Sequence, residues 1–306
     1  MKKRSLQFRI TDAVLIALTL LPLIAGMVLK VLYTPAADGI SIQGALVYFS
    51  VPMPFFGDLP ITESQVNSWL IIVSVFFLCL YMTHGVNIDG GSRRQLICEW
   101  IVEKTEELVE TNMNSSAGIN GYFSGFAPFI AAIMALSAFS SLSSLLGLYP
   151  PTSDLNIAAG WALLVFILIT YYKFKGGPIE YVKGFADPAP VLLPLNIISE
   201  AATPVSMAFR HYGNILSGLV ISSLVAAALT SLSSLVFGWL PGFASRIPLF
   251  RIGLPAVLSV YFDLFSGLLQ AFIFAMLTML YIAGGFPADA YMKRQEKRAH
   301  KKLTNK

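Results

Sequence analysis

Between Val191 and Trp239 the chain carries only two charged side chains, Glu200 and Arg210. A charge at membrane depth costs about 2.5–3.5 kcal/mol on insertion scales, and a guanidinium cannot escape by releasing its proton. Arg210 must therefore meet water, helix carbonyls near an interface, or a partner carboxylate. Asn214 and Ser217 follow it at i+4 and i+7, a spacing that puts all three on one helical face. A later apolar run repeats the pattern with Asp263, Ser266 and Gln270 at i, i+3 and i+7. Two apolar helices that each carry a polar stripe can wall an ion path. The chemistry implied is ion transfer rather than bond making. No His-Glu-x-x-His or Gly-x-Ser-x-Gly signature occurs, and no phosphate-binding Gly-Lys-Ser/Thr loop.

The elements that must hold these residues are membrane helices. The 306-residue chain is 56% hydrophobic and 12% charged, too apolar for a soluble domain. Its long apolar runs are Ala13–Leu32, Val66–Val86, Tyr122–Tyr149, Leu155–Tyr172, Val191–Trp239 and Gly253–Ala283, each near or above the ~20 residues of a spanning helix. The expected fold is an all-α polytopic membrane protein of about six spanning helices plus one interfacial amphipathic helix. The run from Val191 is more than twice the length needed for a straight crossing, so its helix must tilt or bend.

The flanks set the topology. Basic residues gather at Met1–Arg9, at Lys173, Lys175 and Lys183, and in the tail from Lys293 to Lys302, which predicts both termini inside. Only Arg246 and Arg251, in an expected outside turn from Trp239 to Arg251, fall on the other side. The net charge of +4 is thus topological and does not point to nucleic acid. The first run reads either as a signal peptide cleaved after Thr34-Pro35-Ala36 or as a retained span; its apolar part exceeds a typical signal core, so a span is expected. Tyr33–Gln65, without Lys, Arg or His and with several Pro and Gly, reads as an irregular outside loop.

Ser92–Met113 carries an apolar stripe of Leu96, Ile97, Trp100, Ile101, Leu108 and Val109 among charged residues. It is an amphipathic helix, laid on the membrane surface or a partner, or packed on its own protein. Ser137, Ser140, Ser141, Ser143 and Ser144 in the third run allow close helix approach. Pro150 and Pro151 end that run, and Asp154 is either the N-cap of the next helix or part of a channel mouth. Cys79 and Cys98 have no metal or redox spacing and read as small apolar residues.

Pro204-Val-Ser-Met-Ala-Phe-Arg210-His211-Tyr-Gly213-Asn214, with Leu269-Gln270-Ala-Phe-Ile-Phe and Tyr281 downstream, resembles the subunit a family of the F-type ATP synthases. Pro194-Leu-Asn-Ile-Ile-Ser-Glu200 and Pro151-Thr-Ser-Asp154-Leu-Asn156 fit as well. The resemblance covers residues 66 to 285, leaving 1–65 as an extra span and outside loop and 286–306 as a basic inside tail. It implies the ion-translocating stator of a rotary motor in the bacterial cytoplasmic membrane, without catalytic chemistry, cofactor or metal of its own. The implied partners are a c-subunit ring, peripheral stalk b subunits near the amphipathic helix, the remaining synthase subunits and the lipid bilayer. Ions, expected to be protons, would pass through two half-channels, with Arg210 as the essential stator charge. The implied ion path includes Asp263, Asn214, Gln270, Glu200, Ser217, Ser266, Tyr281 and His211. The family commonly has Glu or His five positions after Asn214, where this chain has Leu219. The titratable group of the outer path is then expected at Asp263, which could also be a static partner of Arg210 or a helix-start charge. The rival reading, a stand-alone secondary transporter of an anionic substrate, would need inverted repeats that the two halves do not show.

Overall fold

The structure, a computed structural model, describes residues 6–34, 44–54, 57–87, 92–114, 122–175, 177–185, 189–237, 250, 253, 257–258 and 260–304. The outside turn expected from Trp239 to Arg251, with Arg246 and Arg251, lies outside the described residues except for Phe250. In chain order the helices are α1 (Leu6–Tyr33), α2 (Glu63–Thr83), α3 (Arg93–Val109), α4 (Ala127–Leu142), α5 (Leu155–Phe174), α6 (Pro178–Gly184), α7 (Leu193–Phe237), α8 (Gly267–Gly284) and α9 (Ala288–Thr304). Six helical segments among the described residues are long and apolar enough to cross a membrane: Leu6–Tyr33, Glu63–Thr83, Ser124–Leu146, Leu155–Phe174, Pro190–Phe237 and Val260–Gly284. They coincide with the six apolar runs of the sequence. At 1.5 Å per residue the 45-residue α7 is about 67 Å long.

The chain divides into two compact units. The first comprises Met1–Gly91, Ala135–Ile157 and His211–Ala271. Here α1 and α2 pack antiparallel, pinned along their length by polar contacts. His84 pairs with Asp12 at 3.0 Å, the Ser74 hydroxyl donates to the Thr19 carbonyl at 2.8 Å, and the Lys30 ammonium lies 3.6 Å from Glu63. Between them β1 (Val47–Met53) and β2 (Gly57–Thr62) form an antiparallel hairpin. This corrects the irregular loop expected there. Pro52 and Pro60 argued against strands, but both strands of a two-stranded ribbon are edges, where proline is tolerated. The hairpin runs directly into α2, and Asp154 ties it to the start of α5. One Asp154 oxygen accepts the Asn156 N–H at 2.9 Å, as an N-cap does, while the other accepts from the hydroxyls of Ser64 and Thr62.

The second unit comprises Ser92–Met134, Ala158–Arg210 and Phe272–Lys306. Its core joins Ile130, Val165, Met207, Phe274, Met279 and Ile282 to an aromatic cluster around Phe123, Tyr172 and Phe286. The two ends of the amphipathic α3 behave differently. Val109, and Met113 in the π-helical turn that follows, are buried in that core, whereas Leu96, Ile97, Trp100 and Ile101 are about half exposed. The helix is thus docked on its own protein at one end and presents its apolar stripe at the other.

Candidate functional site

In the first unit the polar stripes meet. Asn214 on α7 and Ser266 exchange hydrogen bonds, the amide donating to the hydroxyl at 3.0 Å and the hydroxyl to the amide oxygen at 3.1 Å. His211, 1% exposed, has its Nε2 3.3 Å from the Ser137 hydroxyl and its Nδ1 3.5 Å from the Gln270 amide. Gln270 is itself buried on α8. Ser141 lies against Gly267, the close approach expected of that serine-rich helix. Ser217 is exposed and returns its hydroxyl to the Asn214 carbonyl at 3.0 Å. Asn214, Ser266, His211 and Gln270 are thus brought together; Ser217 stands at their edge.

Asp263 sits differently from its i, i+3, i+7 expectation. Val260–Ser266 winds as a π-helix rather than an α-helix. The wider turn shifts its angular position relative to Ser266 and Gln270. Its side chain is half-buried.

Glu200 and Tyr281 lie in the second unit, around a different opening. Lys173 at the end of α5 donates to both Glu200 oxygens, at 2.6 and 2.8 Å. The two side chains are only 24% and 18% exposed. They line a cavity of about 530 Å³ together with Tyr181, Asn196, Ser199 and Thr203. They also line a smaller one of about 230 Å³ with Phe166, Leu280 and Tyr281. The ion pair therefore borders both. Gly285 makes room for it: a β-carbon there would lie 2.7 Å from Lys173 Cε. Burial, and then the Glu200 carboxylate, push the Tyr181 phenol above its ordinary range.

The sequence marked Lys173 only as a topological charge and so missed this pair. The spacing of Asn196, Ser199, Glu200 and Thr203, one polar face on the first three turns of α7, was a readable signal for the cavity wall.

Arg210 stands apart from both sets. Its side chain is exposed on α7 and makes neither a hydrogen bond nor an ion pair among the described residues. No group of three or more His, Cys, Asp or Glu among the described residues is placed to hold a metal ion.

The family model described as ATP synthase A chain matches residues 65–283. ATP synthase subunit a of Legionella pneumophila (strain Paris) is 28% identical over 256 residues, covering 83% of this chain and 98% of its own length. The corresponding subunit of Bacillus pumilus (strain SAFR-032) is 32% identical over 245 residues, covering 74% of this chain and 93% of its own. A sodium ion specific ATP synthase subunit a of Propionigenium modestum is 26% identical over 281 residues, covering 82% and 88%.

Proposed function

The chain belongs to the ATP synthase A chain family, that of subunit a of the F-type ATP synthases, and from that premise we propose how its polar groups carry ions. It is a multi-pass membrane subunit that translocates ions within the synthase complex and performs no catalytic chemistry itself. The family membership displaces the reading as a stand-alone transporter.

One observation carries the proposal: a permanent positive charge, exposed on an apolar helix, without a partner among the described residues. A guanidinium left so in a membrane is too costly to be ornamental. Its counter-charge is on another subunit, a carboxylate of the c-ring that passes Arg210 in its ionised state. The positive charge favours the unloaded carboxylate and repels a cation leaking straight through. The cluster of Asn214, Ser266, Gln270 and His211, with Asp263 as its titratable group and Ser217 at its edge, forms the outer half-channel. The cavities around Glu200 and Tyr281 form the inner one. The basic flanks support an orientation with both termini on the cytoplasmic side of a bacterial inner membrane. The exposed stripe of Leu96, Ile97, Trp100 and Ile101 supports contact of α3 with the membrane surface and the peripheral stalk. A proton is the proposed ion, supported by Lys173, whose ammonium already occupies both oxygens of Glu200.

Cross-linking in the assembled complex tests the placement of Arg210. A cysteine at Phe209 or Val205, both more than half exposed, is expected to form adducts with the c subunit. Absence of any such adduct at either position, in a complex that contains both subunits, overturns the proposed stator face.

A further inference from the structure

The basic tail is more than a topological marker. It folds as α9, which begins four residues after the last spanning helix ends at Gly284. Lys293, Arg294 and Lys297 of α9 line a cavity of about 520 Å³ together with Asp289, Gly177 and Ile179. Gly177 lies three residues beyond the end of α5 at Phe174. The cavity thus sits just past the ends of two spans, at the depth of lipid headgroups.

Its construction favours an anion. Three basic side chains face one acid, and Arg298, Lys301 and Lys302 continue the basic sequence beyond. Arg294 is seated by close packing, its guanidinium 3.5 Å from the Lys175 carbonyl and about 3 Å from where a β-carbon of Gly177 would stand. Gly177 adopts φ +127°, so a side chain here would strain the backbone and displace the guanidinium. A guanidinium beside two ammonium groups matches a phosphodiester. Ile179, which lines the cavity, and the exposed Val182 and Met292 on the same two helices match the rest of a lipid. Ile179 and Val182 of α6 are 69% and 62% exposed, and Met292 of α9 is 51% exposed.

The geometry points to this cavity as a binding site for the phosphate headgroup of an anionic phospholipid. Lys293, Arg294 and Lys297 hold the phosphate, and Asp289 offers an acceptor to a headgroup hydroxyl. Ile179, Val182 and Met292 rest among the first methylenes of the acyl chains. A soluble anion would have no use for those three exposed apolar side chains. The basic residues of the site lie beyond residues 65–283, where the family model matches, whereas Gly177 and Ile179 lie within them; binding there does not depend on the ion path proposed above.

The test uses the purified full chain in neutral detergent, with dioctanoyl phosphatidylglycerol or dioctanoyl phosphatidylcholine added and bound lipid counted by native mass spectrometry. Phosphatidylglycerol is expected to be retained preferentially. Lys293→Gln, Arg294→Gln and Lys297→Gln are each expected to weaken it about fivefold, equivalent to about 1 kcal/mol per basic residue. Lys183→Gln, the same charge change outside the cavity, is expected to leave it unchanged. If Arg294→Gln fails to fold, the exposed Lys293 and Lys297 decide the outcome. Equal retention of both lipids, or a loss in Lys183→Gln as large as in the cavity variants, overturns the proposal. So does displacement of phosphatidylglycerol by millimolar inorganic phosphate, which would assign the site to a soluble anion. Because no ion flux is measured, failure here leaves the translocation reading standing, and the converse holds as well.

Discussion

Replacing Lys173 by methionine keeps the unbranched stem and removes the ammonium that bridges both oxygens of Glu200. The pair has charge-assisted geometry, with N–O distances of 2.6 and 2.8 Å, and its side chains are 24% and 18% exposed. Exposed pairs are worth about 0–1 kcal/mol, and breaking a fully buried one costs about 3–5 kcal/mol by stranding a charge. At this degree of burial the expected loss for Lys173→Met is about 2–4 kcal/mol. Glu200→Gln strands the ammonium instead and should cost a similar amount. The double variant removes both charges and should recover much of the loss, giving a coupling of about 2 kcal/mol between the positions. Denaturant unfolding of the purified chain in detergent, run as a double-mutant cycle, reads these values. A loss under about 0.5 kcal/mol for Lys173→Met, or additive single changes, would refute the claim that this pair shapes the cavity wall. Glu200→Gln should also slow ATP-driven pumping in the complex, because the cavity then has a net positive charge that repels entering cations.

Other expectations follow from the same geometry. Asp263→Asn should block transport, since an amide cannot load a proton, and adding Leu219→Glu should restore part of it; full activity in the single variant would remove Asp263 from the path. Asp154→Ala removes the N-cap of α5 and the acceptor of two hydroxyls, and should cost about 1–3 kcal/mol in the same unfolding assay. The first helix should be retained: a cysteine at Ser41, which lies outside the described residues, should label from outside intact cells. A mature N-terminus near Ala37 by mass spectrometry would show a cleaved signal instead.

The spans were legible because a membrane helix must satisfy its backbone internally and hide no polar run, so about twenty apolar residues announce it. The stripe on α3 was legible in the same way. The hairpin was not, because its prolines look like breakers until both strands are known to be edges. Pairing of Asn214 with Ser266 could be anticipated from two matching stripes. That of Lys173 with Glu200 could not, because the partners lie on separate helices and no local spacing joins them. Asp263 shows a further limit: the i, i+3, i+7 argument assumes 3.6 residues per turn, and Val260–Ser266 does not wind that way.

The central claim is that the charge of Arg210, unpaired among the described residues, separates two ion paths by meeting a carboxylate on another subunit. Its most direct test is ATP synthesis driven by an imposed proton gradient in membranes carrying Arg210→Ala, with assembly of the complex checked in the same preparation. The account predicts an assembled complex with no synthesis, and near-complete loss also for Arg210→Lys, whose compact ammonium can shed its proton when desolvated. Robust synthesis in Arg210→Ala membranes would contradict it.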